Sequence, residues 1–334
     1  MNLNSISAKE SIAIVIIRAT AMFSIILCHL FQAYDNDLAS LFNIGVQVFL
    51  VMSGYLYGKK TITNWSQWAE KRFMKLYVPY FIVAATATLL LLYFKPETIK
   101  WYKIIALLIN VQGFRLVFHD YIPPLSFSGL SHLWFMTAIM FAYFTTPLLQ
   151  KLKKYSELCM VILLGSVLFI YTFIACPERF LFGLEWLWLY AFGYFFANIS
   201  SKTQKFYIVL FSICYLYLFL QIHQLQDIGL WRRLGRWHHC TLGILLFTLG
   251  VTFFKRISIT SRIMTIFKWF DKYSFFIFLT HFVVMIGEFS LAHITDSIVV
   301  NVLLMLTTTA ILTFLLVMVN NQITTRIKSI RSNN

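Results

Sequence analysis

The chain has 334 residues, of which 59% are hydrophobic and only 12% charged, and its mean hydropathy is +0.74. A soluble domain carries about 25% charged residues, so this chain lacks the polar material to cover a water-facing surface and belongs in a bilayer. The net charge of +15 does not call for nucleic acid, because the basic residues fall in short clusters between apolar runs, as positive cytoplasmic loops of a membrane protein do.

Each crossing of about 30 Å of hydrocarbon needs about 20 apolar residues, and the runs predict about ten spans. They fall at residues 11–31, 41–57, 76–94, 132–149, 158–176, 184–197, 206–222, 239–254, 273–289 and 298–323. Residues 101–111 are too short to cross and predict an interfacial or re-entrant helix. The first run contains Arg18 and lacks a small-x-small cleavage site, so it does not read as a cleavable signal peptide. Lysine and arginine are concentrated in alternate connections, which puts both termini on the cytoplasmic side. The expected architecture is an all-α polytopic transmembrane bundle, with residues 1–334 as one integral-membrane domain. No internal repeat of the kind found in many transporters is evident.

The cysteines, Cys28, Cys159, Cys176, Cys214 and Cys240, lie mostly inside apolar runs and form no CxxC pair. They read as small buried hydrophobes, and no metal is expected. An ionisable group inside a span is a different matter. It costs about 2.5–3.5 kcal/mol on insertion scales and is a functional candidate by default. Arg18 and His29 both lie in the first run. Eleven residues at about 100° each return them to one helix face, separated by about 16 Å along the axis. With the N-terminus inside, Arg18 lies towards the cytoplasm and His29 towards the outer side. A snorkelling arginine and a satisfied core histidine would account for the same two residues.

The order of short motifs adds a resemblance. Arg18, ten residues and His29 are followed by Gly45-Val46 and by Ser53-Gly54-Tyr55-Leu56 at the end of the second run. Lys71-Arg72-Phe73-Met74-Lys75 precedes the third, and His132-Leu133-Trp134-Phe135 opens the fourth. Tyr273 to His281 forms a late aromatic run ending in histidine. Together they resemble membrane acyltransferase family 3 over essentially the whole chain. Larger members carry a Glu-Glu pair after the tryptophan, where this chain has Ile139 and Met140, so a carboxylate mechanism there does not carry over. Lys75 stands where a second arginine is usual, which keeps the charge but loses a bidentate grip on phosphate.

The resemblance implies a membrane O-acyltransferase that takes acetyl groups from cytoplasmic acetyl-CoA to a hydroxyl of an extracytoplasmic saccharide or lipid-linked glycan, in the cell (inner or plasma) membrane. It makes His29 the base and Arg18 a donor-side grip. Arg72, Lys75 and Lys71 would meet the phosphates of coenzyme A, beside Ser53 and Gly54, whose missing side chain permits close approach. Trp134, His132, His281 and Glu185 are the acceptor-side candidates, although Trp134 also suits an interfacial belt. His281 and Glu288 share a face without forming a convincing pair. His238-His239 is expected in an outer turn, with Arg232, Arg233 and Arg236 as contacts for anionic glycans or lipids. A secondary transporter or sugar flippase, and a membrane sensor or scaffold, remain as other classes.

Overall fold

The computed structural model describes residues 6–116, 125–172, 184–224, 228–257 and 260–332. Among them the chain is helical, without strands. The helices are α1 (Ala8–Gln32), α2 (Leu38–Phe42), α3 (Gly45–Gly58), α4 (Trp65–Phe94), α5 (Trp101–Leu108) and α6 (Trp134–Leu152). They continue with α7 (Ser156–Thr172), α8 (Leu184–Phe196), α9 (Ser201–Gln224), α10 (Ile228–Phe254), α11 (Ser261–Met285) and α12 (Ile298–Ser332). Seven helical stretches among the described residues are long and apolar enough to cross a membrane, and one of them, Ser131–Ser166, contains α6 and the first part of α7.

The molecule is an integral membrane protein turned apolar side out. Val299, Leu303 and Phe314 on α12, and Ile213, Leu216 and Tyr217 on α9, are all exposed. Apolar surface of that extent has no place in water but is solvated by lipid. The α1 helix occupies the interior instead. Ser7 caps it by accepting from the Glu10 amide (3.2 Å), and its sides from Ala13 to Cys28 are buried almost all round. Glu10 is itself buried, accepting from the Tyr55 hydroxyl of α3 with Lys255 3.6 Å away.

Two interhelical contacts fix the frame. The α1 and α11 helices run parallel, since Arg18 meets Asp271 and His29 meets His281. The α3 and α8 helices also run parallel and touch backbone to backbone. A Cβ on Gly54 would sit 1.9 Å from the Tyr190 carbonyl oxygen, and one on Gly193 1.9 Å from that of Val51. Such small-xxx-small contacts substitute close van der Waals packing for the hydrophobic effect, which lipid does not supply. Gly54→Ala is therefore expected to cost about 1–3 kcal/mol by overpacking, read as an earlier thermal transition in detergent. An unchanged transition would mean that α8 shifts away freely.

Several sequence expectations need correction. The second run, 41–57, breaks into α2 and α3, with Ser24 Oγ donating to the Phe42 carbonyl at the break (2.8 Å). Residues 71–75 are not a loop before a span but belong to α4, which starts at Trp65 behind the cap Asn64. The late run starts twelve residues earlier than 273, because α11 extends from Ser261. His238 and His239 lie within α10 rather than in a turn. The His238 ring stacks on Tyr215 (4.7 Å between centroids), and His239 Nε2 donates to the Ser40 carbonyl (3.1 Å). Cys176 and the side chains of Arg232, Arg233 and Arg236 lie outside the described residues. The short helix expected at 101–111 is present as α5, whose last carbonyls, Leu107 and Leu108, accept from the hydroxyls of Tyr80 and Tyr77.

Candidate active site

Three histidines distant in sequence meet at one end of the α1–α11 pair. His29 comes from the last turn of α1, His132 from the 3-10 turn that leads into α6, and His281 from α11. The ring centroids of His29 and His281 are 5.3 Å apart, and those of His132 and His281 5.6 Å. Phe282 lies against two of them, 4.6 Å from His29 and 4.7 Å from His132. His29 is half-buried, whereas His132 and His281 are buried. Among the described residues no group of three His, Cys, Asp or Glu is disposed to hold a metal ion.

Hydrogen bonds fix two of the tautomers. His29 Nδ1 lies 2.9 Å from Gln32 Oε1; an amide oxygen only accepts, so Nδ1 carries the hydrogen and Nε2 keeps its lone pair. His281 Nδ1 donates to the carbonyls of Ile277 (3.0 Å) and Phe278 (2.9 Å), which leaves its Nε2 as an acceptor without a partner. Both ring nitrogens of His132 also lack a hydrogen bond, although the backbone of Leu279 and Phe278 is close. A buried polar atom left unpaired costs about 1–3 kcal/mol. Three such nitrogens lie together at this end of the helix pair.

The far end of the same helix pair is cationic. Arg18 Nη1 donates to Asp271 Oδ1 at 2.8 Å, with both side chains largely shielded. Lys75 lies in the field of Arg72, Arg18, Asp271 and Lys60. The Arg72 guanidinium stacks over the Tyr57 ring, 5.3 Å from its centroid, with its buried Nε unpartnered. Lys60 approaches Tyr57 at 6.0 Å. The protein packed round Lys60, and then the charges of Arg72 and Arg18, lower its pKa from the ordinary lysine value. Four cations with one carboxylate between them leave net positive charge to be met by an anion.

An aromatic wall lies beside the cationic end. The Tyr57 ring packs on Trp68 (5.4 Å) and on Tyr143 (5.0 Å). Ser53 lies beside the Tyr143 hydroxyl, and the Tyr190 hydroxyl is 2.8 Å from Thr146 Oγ1. Towards the histidines, Trp134 packs on Trp186 with centroids 4.6 Å apart, and Glu185, the preceding residue, is buried.

The sequence candidates thus sort into two groups. His29, His132 and His281 come together; Trp134 packs on Trp186 and Glu185 is buried next to Trp186 in sequence. Arg18, Arg72 and Lys75 come together at the other end, while Lys71 is exposed and enters none of the contacts just described. Gly54 is filled by the backbone of α8, so the close approach that it permits is to the protein itself. Glu288 is exposed and pairs with Lys95 (3.9 Å) rather than with His281. Sequence reasoning missed Asp271 and Gln32. Gln32 was accessible through its i, i+3 spacing from His29, whereas the partner of Arg18 lies 253 residues away.

No curated protein and no solved structure matches the chain. A family model described as an acyltransferase domain matches residues 12–319, a range that holds both ends of the site. The chain is an acyltransferase and belongs to membrane acyltransferase family 3.

Proposed function

We propose that the protein moves an acetyl group from acetyl-CoA, taken up at the cationic end, to a hydroxyl of a saccharide or lipid-linked glycan at the histidine end. The observation that carries this reading is the pairing of the two ends on one helix: Arg18 with its cations, and His29 with its lone pair, about 16 Å further along α1. Phosphates are recognised by guanidinium and ammonium groups, and Arg18, Arg72 and Lys75 are the residues that would hold them. The acyl arm then runs along the aromatic wall.

At the histidine end, His29 Nε2 removes the proton of the acceptor hydroxyl as its oxygen attacks the thioester carbon. The carbonyl electron pair moves onto oxygen, where an N–H of the otherwise unpartnered His132 steadies it. The pair then returns, the C–S bond breaks, and the departing thiolate takes the proton from His29. His281 Nε2 is the natural acceptor for a second hydroxyl of the saccharide. The proton balance closes without a metal or a covalent enzyme intermediate.

The membrane arrangement that goes with this reading has ten crossings, made by every helix except α2 and α5, and both termini in the cytoplasm of the cell membrane. It is supported by the basic character of the Arg18 end and by the parallel run of α1 and α11. The test is sidedness. Protein in vesicles of known orientation receives labelled acetyl-CoA on one face only. Turnover is expected when the donor is on the Lys75 face, with the label recovered on glycan at the opposite face. Turnover only from the histidine face, or none from either, would overturn the donor assignment.

A further inference from the structure

A cavity opens between the end of α4, the start of α5 and the loops at Ser128 and Glu288. Its volume is about 370 Å³, and Glu97, Lys100, Tyr102, Lys103, Ser128 and Glu288 line it. Small-molecule pockets occupy about 300–1,000 Å³, so the space suits one or two sugar rings better than a long chain. Two carboxylates and two lysines are among the lining residues. The lining is more apolar than polar: Leu91, Phe127 and the Tyr102 ring stand beside the hydrogen-bonding groups of Glu97, Lys100, Lys103, Ser128 and Glu288, and an apolar face flanked by a few polar groups is the chemistry that recognises a sugar ring. Lys103 is drawn over the Phe127 ring (5.6 Å) and Lys95 lies 3.9 Å from Glu288, contacts that hold the charged groups at the rim.

The position matters as much as the chemistry. Its lining residues Ser128 and Glu288 sit on two loops that touch each other. Gly129 and Gly287 both have positive φ (80° and 95°), and a Cβ on Gly287 would lie 2.3 Å from the Gly129 amide nitrogen. His132 follows Gly129 by three residues, a reach of at most about 11 Å, and His281 precedes Gly287 by six. Two of the lining residues, Ser128 and Glu288, thus belong to the loops that precede His132 and follow the α11 helix carrying His281.

We propose that this cavity is an acceptor subsite that binds a sugar unit next to the one being acylated. The inference rests on the saccharide reading above and names where that substrate is gripped. The test uses wild-type protein in nanodiscs and saturation-transfer NMR with glucose, galactose, rhamnose and N-acetylglucosamine as probes. At least one probe is expected to give a saturable signal that weakens about tenfold in both Glu97→Gln and Lys100→Met. Both side chains are exposed, and each variant is checked for an unchanged thermal transition. No saturable signal from any probe, or signals that both variants leave unaltered, would overturn the subsite. Displacement of the sugar by dihexanoyl-phosphatidylglycerol but not by a second sugar would overturn it in favour of a lipid headgroup. Acetyl-CoA turnover by the wild type is read separately. A sugar signal that obeys the variants in a protein without turnover supports the cavity and removes the donor assignment alone.

Discussion

Replacing His29 by alanine is expected to lower kcat for acyl transfer by about 10²–10⁴-fold, the usual contribution of a positioned general base. Its KM for acetyl-CoA should stay within about twofold, because the donor grip lies at the other end of α1. The side chain is half-buried and bonded only to the exposed Gln32, so its loss leaves no charge stranded and the fold should persist. Gln32→Leu supplies the graded control. It frees Nδ1 from its acceptor, allows the other tautomer and should lower kcat less than the alanine does. Should His29→Ala retain full turnover, the proton passes to another group, and His281, with its lone pair already free, is the one to mutate next.

The second large effect concerns Arg18. Removing one partner of a shielded ion pair leaves the other charge uncompensated, at about 3–5 kcal/mol for full burial and near zero for full exposure. Arg18 and Asp271 are 28% and 16% exposed, so Arg18→Ala should cost about 2–3 kcal/mol, read as an earlier thermal transition in detergent. Arg18→Met with Asp271→Leu removes both charges and should restore most of that stability. Neither variant should restore donor use, and KM for acetyl-CoA should rise in both. A double variant with wild-type KM would reduce Arg18 to a structural residue whose only task is to join α1 to α11.

Much of this site is legible in the sequence, for reasons that can be stated. Helical periodicity is local, so the shared face of Arg18 and His29 follows from their spacing alone. His132 and His281 stand out only through the motifs shared with the acyltransferase family, His132-Leu133-Trp134-Phe135 and the aromatic run ending at His281. Pairings between helices are not local. Asp271 looks like one more charge between Phe270 and Lys272, and only the parallel run of α1 and α11 gives it a partner. Helix ends were equally hidden. The α4 and α11 helices continue beyond their apolar cores into basic turns, since headgroup and water satisfy lysine and arginine there as well as a loop would. Gly54 illustrates the reverse error. An absent side chain signals a close neighbour, but not whether that neighbour is a ligand or another stretch of the same backbone.

The interlock of Gly54 with Tyr190 and of Gly193 with Val51 bears on how a substrate gets across. Alternating access, as secondary transporters practise it, needs a surface along which one bundle slides or rocks past another. Backbones this close, each notched into the other, leave no shear plane between α3 and α8: any sliding would first have to separate them. With those two helices moving as one piece, any rocking has to fall between other helices of the bundle.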